Sequence, residues 1–405
     1  MHLPQGLPSP ARQPARPPCP GRKVTGMGKF GVIGHMTSIS SRIAQFAAKR
    51  LSIVIDDVGS GRAVVVSPAQ DISEDMVNQI LSLSGGLTFV ALSAERGAAF
   101  LLPFMARSAH KGDIRDSSQH RHYTSVEARE GVSTGISAAD RAVTIRILGA
   151  PTPQPRALVK PGHIFPIEAT SGGVLVKAAI TEAALDIVTL ARFSDAALFM
   201  DLLNQAGELL SSDEALALAH ESQIPAFTIS EIIQHRLVGE QLVSRTAEAT
   251  LPTKEAGEMR ALVYRSAIHD VEHIALVKGT IEPGQTVLVR VQSEYTLADV
   301  FGSPHPASRK QLQNALRAVG ARGTGVLVYL RKPTITDSPP SSPGHAGASE
   351  MREYGIGAQI LRDLGATRIE LLSSTQRALD GLSSFGISVV SQHPIPDYIP
   401  SELES

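Results

Sequence analysis

The stretch Thr124–Arg146 brings together the residue types that a bound phosphate requires. Its first residues alternate between apolar and polar, which predicts a half-buried strand, and Ser137 with Asp140 could cap a helix that follows. Between these elements, Gly131 and Gly135 flank two hydroxyl residues. Hydroxyls, glycines and backbone N–H groups at the start of a helix can hold an anion. The same residues occur in ordinary strand-turn-helix corners, and spacing alone favours that simpler interpretation.

Length and composition predict two folded domains. The chain has 405 residues, of which 42% are hydrophobic and 19% charged, so large cores can form. The net charge of −1 gives no electrostatic reason to expect binding to nucleic acid or to a membrane surface. Cys19 is the only cysteine, which excludes disulfides within the chain and sites built from several thiolates. With no secretory signal in the sequence, we expect a cytoplasmic protein.

The N-terminal segment does not have the pattern of a folded element. Residues 1–25 are rich in proline and arginine and lack periodicity, so we expect a disordered tail over residues 1–36. Arginine-rich segments can be transit peptides, but the prolines disfavour the amphipathic helix that such a peptide forms. An over-long start is the alternative, in which Met27 or Met36 begins the protein.

The rest of the chain predicts a two-domain α/β (α+β) protein. In the first half, strands alternate with helices, which indicates a mixed-sheet domain over residues 37–238. Residues 239–254 are polar and poorly patterned, so we expect a linker there. From Met259 onward the pattern is rich in strands, with helices over 310–319 and 355–364, which indicates a second domain over residues 255–398.

Three motifs in the first half occur in the order and spacing of a known family. They are SVEAREGVSTGISAADRA at residues 125–142, KPGHIFP at 160–166, and GGVL with TEAALD over 172–186. Through these motifs, residues 43–236 resemble 3,4-dihydroxy-2-butanone-4-phosphate synthase, an enzyme of riboflavin biosynthesis. The resemblance implies a homodimer that binds ribulose 5-phosphate and, with a divalent metal such as Mg²⁺, converts it to a four-carbon phosphate and formate.

The metal ligands of that family are replaced in this chain. The family carries an acidic loop of the type DDEDRENEGD, but here acidic residues stop after Asp57 and Gly59-Ser60-Gly61 follows. The histidine of the family's GHTEA motif corresponds to Ile180. An isoleucine has no lone pair to donate and a Gly/Ser loop supplies no charge. We therefore expect no metal ligand in this half, although the resemblance allows for Mg²⁺.

The phosphate-facing part of the family pattern remains. By the resemblance, the phosphate-binding residues are Thr134, Ser137, Asp140, Lys177 and Thr181, and the catalytic ones are His163, Glu182 and Asp201. Lys177 replaces a family arginine and keeps its charge without bidentate geometry. Asp201 replaces a glutamate and has a shorter reach. These residues fit a pocket that still accepts a phosphorylated sugar, and equally a corner that is kept for packing.

The second half resembles GTP cyclohydrolase II. The motifs that carry the resemblance are HIALVKG, VLVRVQSE, DVFGS, VLVYLR and REYGIGAQILRDLG, in the order of that family. The zinc-binding cysteines of the family correspond to Tyr295, Pro306 and Ser308, which supply no thiolate. We therefore expect neither zinc nor GTP ring opening. Arg352 also remains from the family pattern, and we expect a surface or salt-bridge role for it.

Two functions are compatible with these residues. The first is a diverged synthase that recruits other carboxylates for a metal, from among Asp56, Asp57, Glu130, Glu182 and Asp201. The second is a non-catalytic relative that binds a phosphosugar, nucleotide or flavin, or that pairs with an active homologue as a heterodimer.

Overall fold

The computed structural model describes residues 38–105, 121–268, 270–304, 307–332, 343–373 and 380–397. The predicted tail at residues 1–36 and the position of Pro306 lie outside these ranges. Within them, each half of the chain builds one mixed β-sheet with helices packed against it. This is the fold class that the sequence predicts.

The first half alternates strands with helices. Its strands are β1 Ser52–Ile55, β2 Ala63–Pro68, β3 Phe89–Leu92, β4 Arg121–His122, β5 Val126–Ala128, β6 Leu158–Glu168, β7 Ala196–Asp201 and β8 Ala226–Thr228. Its α-helices are α1 Ile39–Lys49, α2 Glu74–Leu83, α3 Ala94–Ala99, α4 Ala138–Gly149, α5 Ile180–Leu190, α6 Ser212–Glu221 and α7 Ile229–Gly239. Short 3₁₀ turns lie at Pro155–Ala157 and Gly173–Leu175. The strands form sheet 1 in the order β4-β6-β3-β7-β2-β1-β8, and β5 pairs with β6.

The second half is richer in strand. Its strands are β9 Val243–Thr253, β10 Gly257–Ser266, β11 Glu272–Lys278, β12 Thr286–Ser293, β13 Gly325–Leu330, β14 Arg368–Leu372 and β15 Ser388–His393. Its helices are α8 Thr296–Asp299, α9 Ser308–Arg322, α10 Pro343–Asp363 and α11 Asp380–Ser383. Sheet 2 has the order β15-β14-β12-β13-β11-β10-β9.

The segment predicted to be a linker is mostly strand. Within residues 239–254, β9 pairs antiparallel with β10 at the edge of sheet 2. Its residues from Ser244 to Pro252 are all exposed. Because neither face of this part of the strand is buried, the sequence lacks the alternation by which a strand is recognised, and the linker prediction was wrong for this reason.

One hydrophobic core crosses the boundary between the halves. It contains Val64 and Phe199 from sheet 1 together with Val289 and Ile360 from the second half. A second core lies on the other side of sheet 1, beneath helices that include α2, α4 and α6. The residues that form the first core also include members of α5, α7 and α10, so these helices lie between the two sheets.

Helices α7 and α10 approach closely at Gly355, where a Cβ would lie 2.8 Å from Leu237 Cδ2. We expect Gly355→Leu to lower the free energy of unfolding by about 2 kcal/mol, because the added side chain must displace Leu237. Denaturant unfolding of the full chain measures this. Gly239→Leu is the control, since no atom lies within 4 Å of a Cβ there, and its effect should stay within about 0.5 kcal/mol. Equal losses in both variants would contradict the packing argument.

Candidate functional site

The strand-turn-helix corner predicted from the sequence is present. Strand β5 leads into a turn, and Ser137 is the N-cap of α4, where its side chain accepts a hydrogen bond from Asp140 N at 3.0 Å. Gly131 and Gly135 have φ angles of 77° and 79°, a backbone conformation that favours glycine. The predicted strand, turn and capped helix are therefore confirmed, although all three residues of β5 are buried and the strand is not half-buried as expected.

The Asp140 carboxylate is hydrogen-bonded to the residues of this turn. Its carboxylate accepts hydrogen bonds from Ser133 N at 3.2 Å, Ser133 Oγ at 2.9 Å and Gly135 N at 2.9 Å. Burial opposes the charged form, but the hydrogen bonds from Ser133, Gly135 and Ser137 outweigh it and lower the pKa of Asp140. An ionised carboxylate that already binds the N–H groups of the turn repels a phosphate. These bonds make Asp140 part of the turn itself, and the phosphate-binding role expected for it stays a prediction.

The lowered pKa of Asp140 predicts a pH effect. Because this pKa lies below its ordinary value of 3.8, the charged form stabilises the fold above about pH 4, and this contribution is lost as the pH falls below that value. We expect Asp140→Asn to lower the melting temperature at neutral pH and to reduce its dependence on acid. Thermal unfolding between neutral and acid pH measures both effects. Asp213→Asn, at an exposed position on α6, should change neither; a variant at Asp140 that behaved like it would contradict the assignment.

Glu127 connects the corner to strand β6. This buried carboxylate accepts hydrogen bonds from His163 N at 3.1 Å and Thr144 Oγ1 at 2.8 Å, and its Oε2 lies 2.7 Å from His163 Nδ1. A Cβ on Gly135 would lie 2.1 Å from Glu127 Oε2 and 2.6 Å from His163 Nδ1. The corner and the His163–Glu127 pair therefore form one group. Glu127 contacts Nδ1 of His163, whose side chain is 47% exposed. The other ring nitrogen, Nε2, can therefore contact a ligand. The exposed Thr134 directly precedes Gly135 in the same turn.

A second group lies at the start of helix α5. The N-cap is Ala179, which provides no side-chain cap for the first backbone N–H groups of the helix. Thr181 lies in the first turn, and Lys177 precedes the helix by a few residues. The N-terminus of a helix carries partial positive charge, and a nearby lysine adds to it. This arrangement can attract an anion.

Glu182 belongs to the second group but is not exposed to a substrate. Its side chain is fully buried, and Oε1 accepts hydrogen bonds from Thr170 N at 3.0 Å and Thr170 Oγ1 at 2.8 Å. Lys177 Nζ lies 4.0 Å from the same oxygen, whereas Oε2 is buried without a hydrogen-bond partner. Burial raises the pKa of Glu182, although Lys177 and Thr170 act in the opposite direction. These contacts indicate that Glu182 holds the loop at Thr170, and the catalytic role that the resemblance gives it stays a prediction.

Asp201 forms the third group with a residue that the sequence pattern does not single out. Arg62 Nε and Nη2 donate to Asp201 Oδ1 at 3.1 and 2.6 Å. Arg62 follows the Gly/Ser loop that the resemblance aligns with the acidic loop of the synthase family. The Arg62 guanidinium is therefore hydrogen-bonded to the carboxylate to which the resemblance gives a catalytic role.

The residues that the resemblance aligns with the family's metal ligands do not fit a divalent cation. The Asp56 carboxylate accepts hydrogen bonds from Val58 N, Ser60 N and Ser60 Oγ, and Asp57 binds Ser230. Ile180 is 4% exposed and packs in the core. In the described ranges, no three His, Cys, Asp or Glu side chains converge in a way that could hold a metal ion. A hard cation needs several oxygen ligands, and the Asp56 and Asp57 carboxylates are already engaged by protein groups.

In the second half, the resemblance aligns zinc-binding cysteines with Tyr295 and Ser308. Ser308 begins α9, and its hydroxyl is buried and accepts a hydrogen bond from Gln292 Nε2 at 2.8 Å. Tyr295 precedes α8, and neither residue offers a thiolate.

None of the helices in the described ranges has the length and apolar character of a membrane span.

Comparison with known proteins decides the family. Residues 40–235 match the family model of 3,4-dihydroxy-2-butanone 4-phosphate synthase, and residues 244–338 and 340–394 match that of GTP cyclohydrolase II. The riboflavin biosynthesis protein RibBA of Phocaeicola vulgatus is 32% identical over 379 residues, which cover 89% of this chain and 92% of that protein. The chain belongs to this riboflavin biosynthesis family. Both halves of the fusion that the motifs resemble are thereby confirmed.

Two further relatives of this riboflavin-family chain are described in terms of a single function. A protein of Oryza sativa subsp. japonica, described as a probable monofunctional riboflavin biosynthesis protein RIBA 3, is 34% identical over 90% of this chain and 71% of its own length. Among solved structures, RibBX from A. baumannii is described as a two-domain 3,4-dihydroxy-2-butanone 4-phosphate synthase. It has a TM-score of 0.72 and 29% identity, and the match covers 89% of this chain and 99% of that one.

Proposed function

We propose that this member of the riboflavin family binds a phosphorylated sugar without converting it. The proposal rests on the difference between the anion-binding groups and the metal positions of the first half. The corner at Thr134 and the start of α5 keep the groups that an anionic sugar needs. The positions that the resemblance aligns with metal ligands, in contrast, hold a self-bonded Asp56 loop and the buried Ile180, and the Asp201 carboxylate is paired with Arg62.

In this proposal the phosphate binds at the N-terminus of α5. Lys177 supplies a point charge and the helix start its backbone N–H groups, whereas Thr181, although expected to bind the phosphate, is only 2% exposed. Thr134, Ser137 and His163 Nε2 supply hydrogen bonds to the sugar hydroxyls. The first hydroxyl lies on the turn shaped by Asp140, and His163 is held by Glu127, so both are positioned before a ligand arrives.

Calorimetric titration with ribulose 5-phosphate in EDTA tests the proposal. We expect binding by the unmodified protein and a loss of about tenfold in affinity for Lys177→Ala, because an anion loses its charged partner. Lys310→Ala, at an exposed position on α9, is the control and should leave the affinity unchanged. Absence of binding by the unmodified protein at millimolar sugar would rule the proposal out.

A second candidate is a synthase with altered metal ligands. The description of RibBX as a two-domain synthase favours it, because that structure aligns with nearly all of this chain. In that case carboxylates such as Asp57 and Glu130 would have to hold Mg²⁺. For the second half we propose no GTP ring opening, since Tyr295 and Ser308 cannot replace zinc-binding cysteines.

We also propose a cytoplasmic homodimer, or a heterodimer with an active homologue. Native mass spectrometry of the purified chain, alone and with a homologue that retains the metal motifs, distinguishes the two assemblies. A protein that stays monomeric under both conditions would contradict this part of the proposal.

A further inference from the structure

Arg352 connects the two halves of the molecule. It lies on α10 of the second half, and its Nη1 donates to Leu175 O at 3.1 Å and Val176 O at 2.7 Å in the first half. The residue is partly buried, and burial lowers the pKa of its guanidinium, an effect that Glu353 partly offsets. The expectation of a surface or salt-bridge role for Arg352 does not include these bonds between the halves.

The turn that Arg352 contacts leads directly to Lys177. It begins at Gly172 and includes the 3₁₀ turn Gly173–Leu175. The N–H groups of Val176 and Lys177 both donate to Gly173 O at 3.0 Å. The orientation of these peptide groups therefore determines where the Lys177 side chain and the start of α5 lie.

Residues of the first half also form hydrogen bonds with this turn. Asp186 Oδ2 accepts a hydrogen bond from Val174 N at 2.9 Å, and Arg236 Nη1 donates to Gly172 O at 2.9 Å. Arg236 Nη1 also lies 2.7 Å from Asp186 Oδ2. The early part of the turn is thus fixed by residues of the first half, whereas Arg352 holds its last two carbonyls.

We propose that Arg352 is a positioning residue, through which the second half holds Lys177 and the N-terminus of α5 in the geometry that binds phosphate. The inference rests on the proposed function of that site. A guanidinium donates charge-assisted hydrogen bonds, which are stronger than those between neutral groups. This role requires neither zinc nor GTP, and it gives the second half a function in a chain whose zinc ligands are replaced.

The same helix offers a matched control. Gln359 Nε2 donates to Leu237 O and Glu240 O, each at 2.8 Å, and its Oε1 accepts a hydrogen bond from Leu242 N at 2.8 Å. These contacts hold the connection between the halves but involve no residue of the turn before Lys177. Gln359→Ala therefore loosens the contact between the halves without removing the bonds that Arg352 makes.

Hydrogen exchange of the full chain is the first test, and it requires no ligand. Arg352→Met removes the donors and keeps most of the side-chain volume. We expect the amides of Val176 and Lys177 to exchange about tenfold faster in this variant, because the turn loses a constraint worth roughly one charge-assisted hydrogen bond. Gln359→Ala should leave them unchanged, and Arg352→Lys, which retains a charged donor, should restore part of the protection.

Affinity for ribulose 5-phosphate is the second test. We expect Arg352→Met to weaken binding about tenfold, and Gln359→Ala to change it less than about twofold even though it lowers the melting temperature. Unchanged exchange and affinity in Arg352→Met, or equal losses in both variants, would overturn the inference. If the unmodified protein does not bind the sugar, the proposed function fails, and the exchange measurement alone decides whether Arg352 positions the turn.

Discussion

Arg236→Met is expected to lower the free energy of unfolding by about 3–5 kcal/mol, because it leaves a buried carboxylate without its cation. Arg236 Nη1 lies 2.7 Å from Asp186 Oδ2, and both side chains are nearly inaccessible to solvent. The same guanidinium also donates to Gly172 O and to Glu240. Denaturant unfolding at neutral pH measures the loss.

The effect of Arg236→Met should depend on pH. Burial, partly offset by Arg236, raises the pKa of Asp186 from 3.8 to about 6. The folded protein therefore binds more protons than the unfolded chain between these two values, so the contribution of Asp186 to stability falls as the pH rises from about 4 to about 6. Without Arg236 the pKa of Asp186 rises further, and the stability deficit of the variant should shrink as the pH is lowered from neutral.

The double variant Asp186→Asn with Arg236→Met is the control for this coupling. An amide at position 186 carries no charge that needs Arg236, so the double variant should recover part of the stability and lose the pH dependence. A deficit that stays constant with pH, or that the amide does not reduce, would show that Arg236 acts independently of Asp186.

Gly135→Val is expected to abolish phosphosugar binding and to lower the free energy of unfolding by about 3 kcal/mol. The φ angle of this glycine is 79°, and a Cβ would lie 2.1 Å from Glu127 Oε2 and 2.6 Å from His163 Nδ1. The added side chain must therefore separate the turn from the His163–Glu127 pair. Sugar titration and denaturant unfolding measure the two effects.

Gly131→Val separates this clash from backbone strain. Its φ angle is 77°, nearly the same as that of Gly135, but the nearest atom to a Cβ there is Val143 Cγ1 at 3.8 Å. We expect a loss of about 1–2 kcal/mol from the backbone conformation and retention of sugar binding. Similar binding by both glycine variants would exclude a role for the corner in the site.

The local features of this fold follow from the sequence, whereas its long-range pairs do not. The strand, glycine turn and Ser137 cap are each encoded within a few neighbouring residues, so periodicity and capping rules predict them. Arg62 and Asp201 lie 139 positions apart, and Arg352 lies 177 positions from Leu175. A single sequence contains no signal that joins such residues.

The hydrogen bonds of Asp140 are a related case. The motif identifies a carboxylate beside a phosphate-facing turn, but only the coordinates show that the N–H groups of the turn already bind it. The sequence likewise identifies Glu127 only as a polar residue in a short strand. Its bonds to His163 become apparent only in the structure. The replacement of metal ligands that the resemblance implies is different, because it depends only on which residue type stands at each motif position.

Proton NMR of ribulose 5-phosphate mixed with the full chain and Mg²⁺ tests the central claim most directly, because one sample reports both binding and turnover. We expect saturation transfer from the protein to the sugar protons, the same transfer in EDTA, and no formate signal over hours. A growing formate signal that requires both Mg²⁺ and the protein would contradict the claim and establish the chain as a synthase with altered metal ligands.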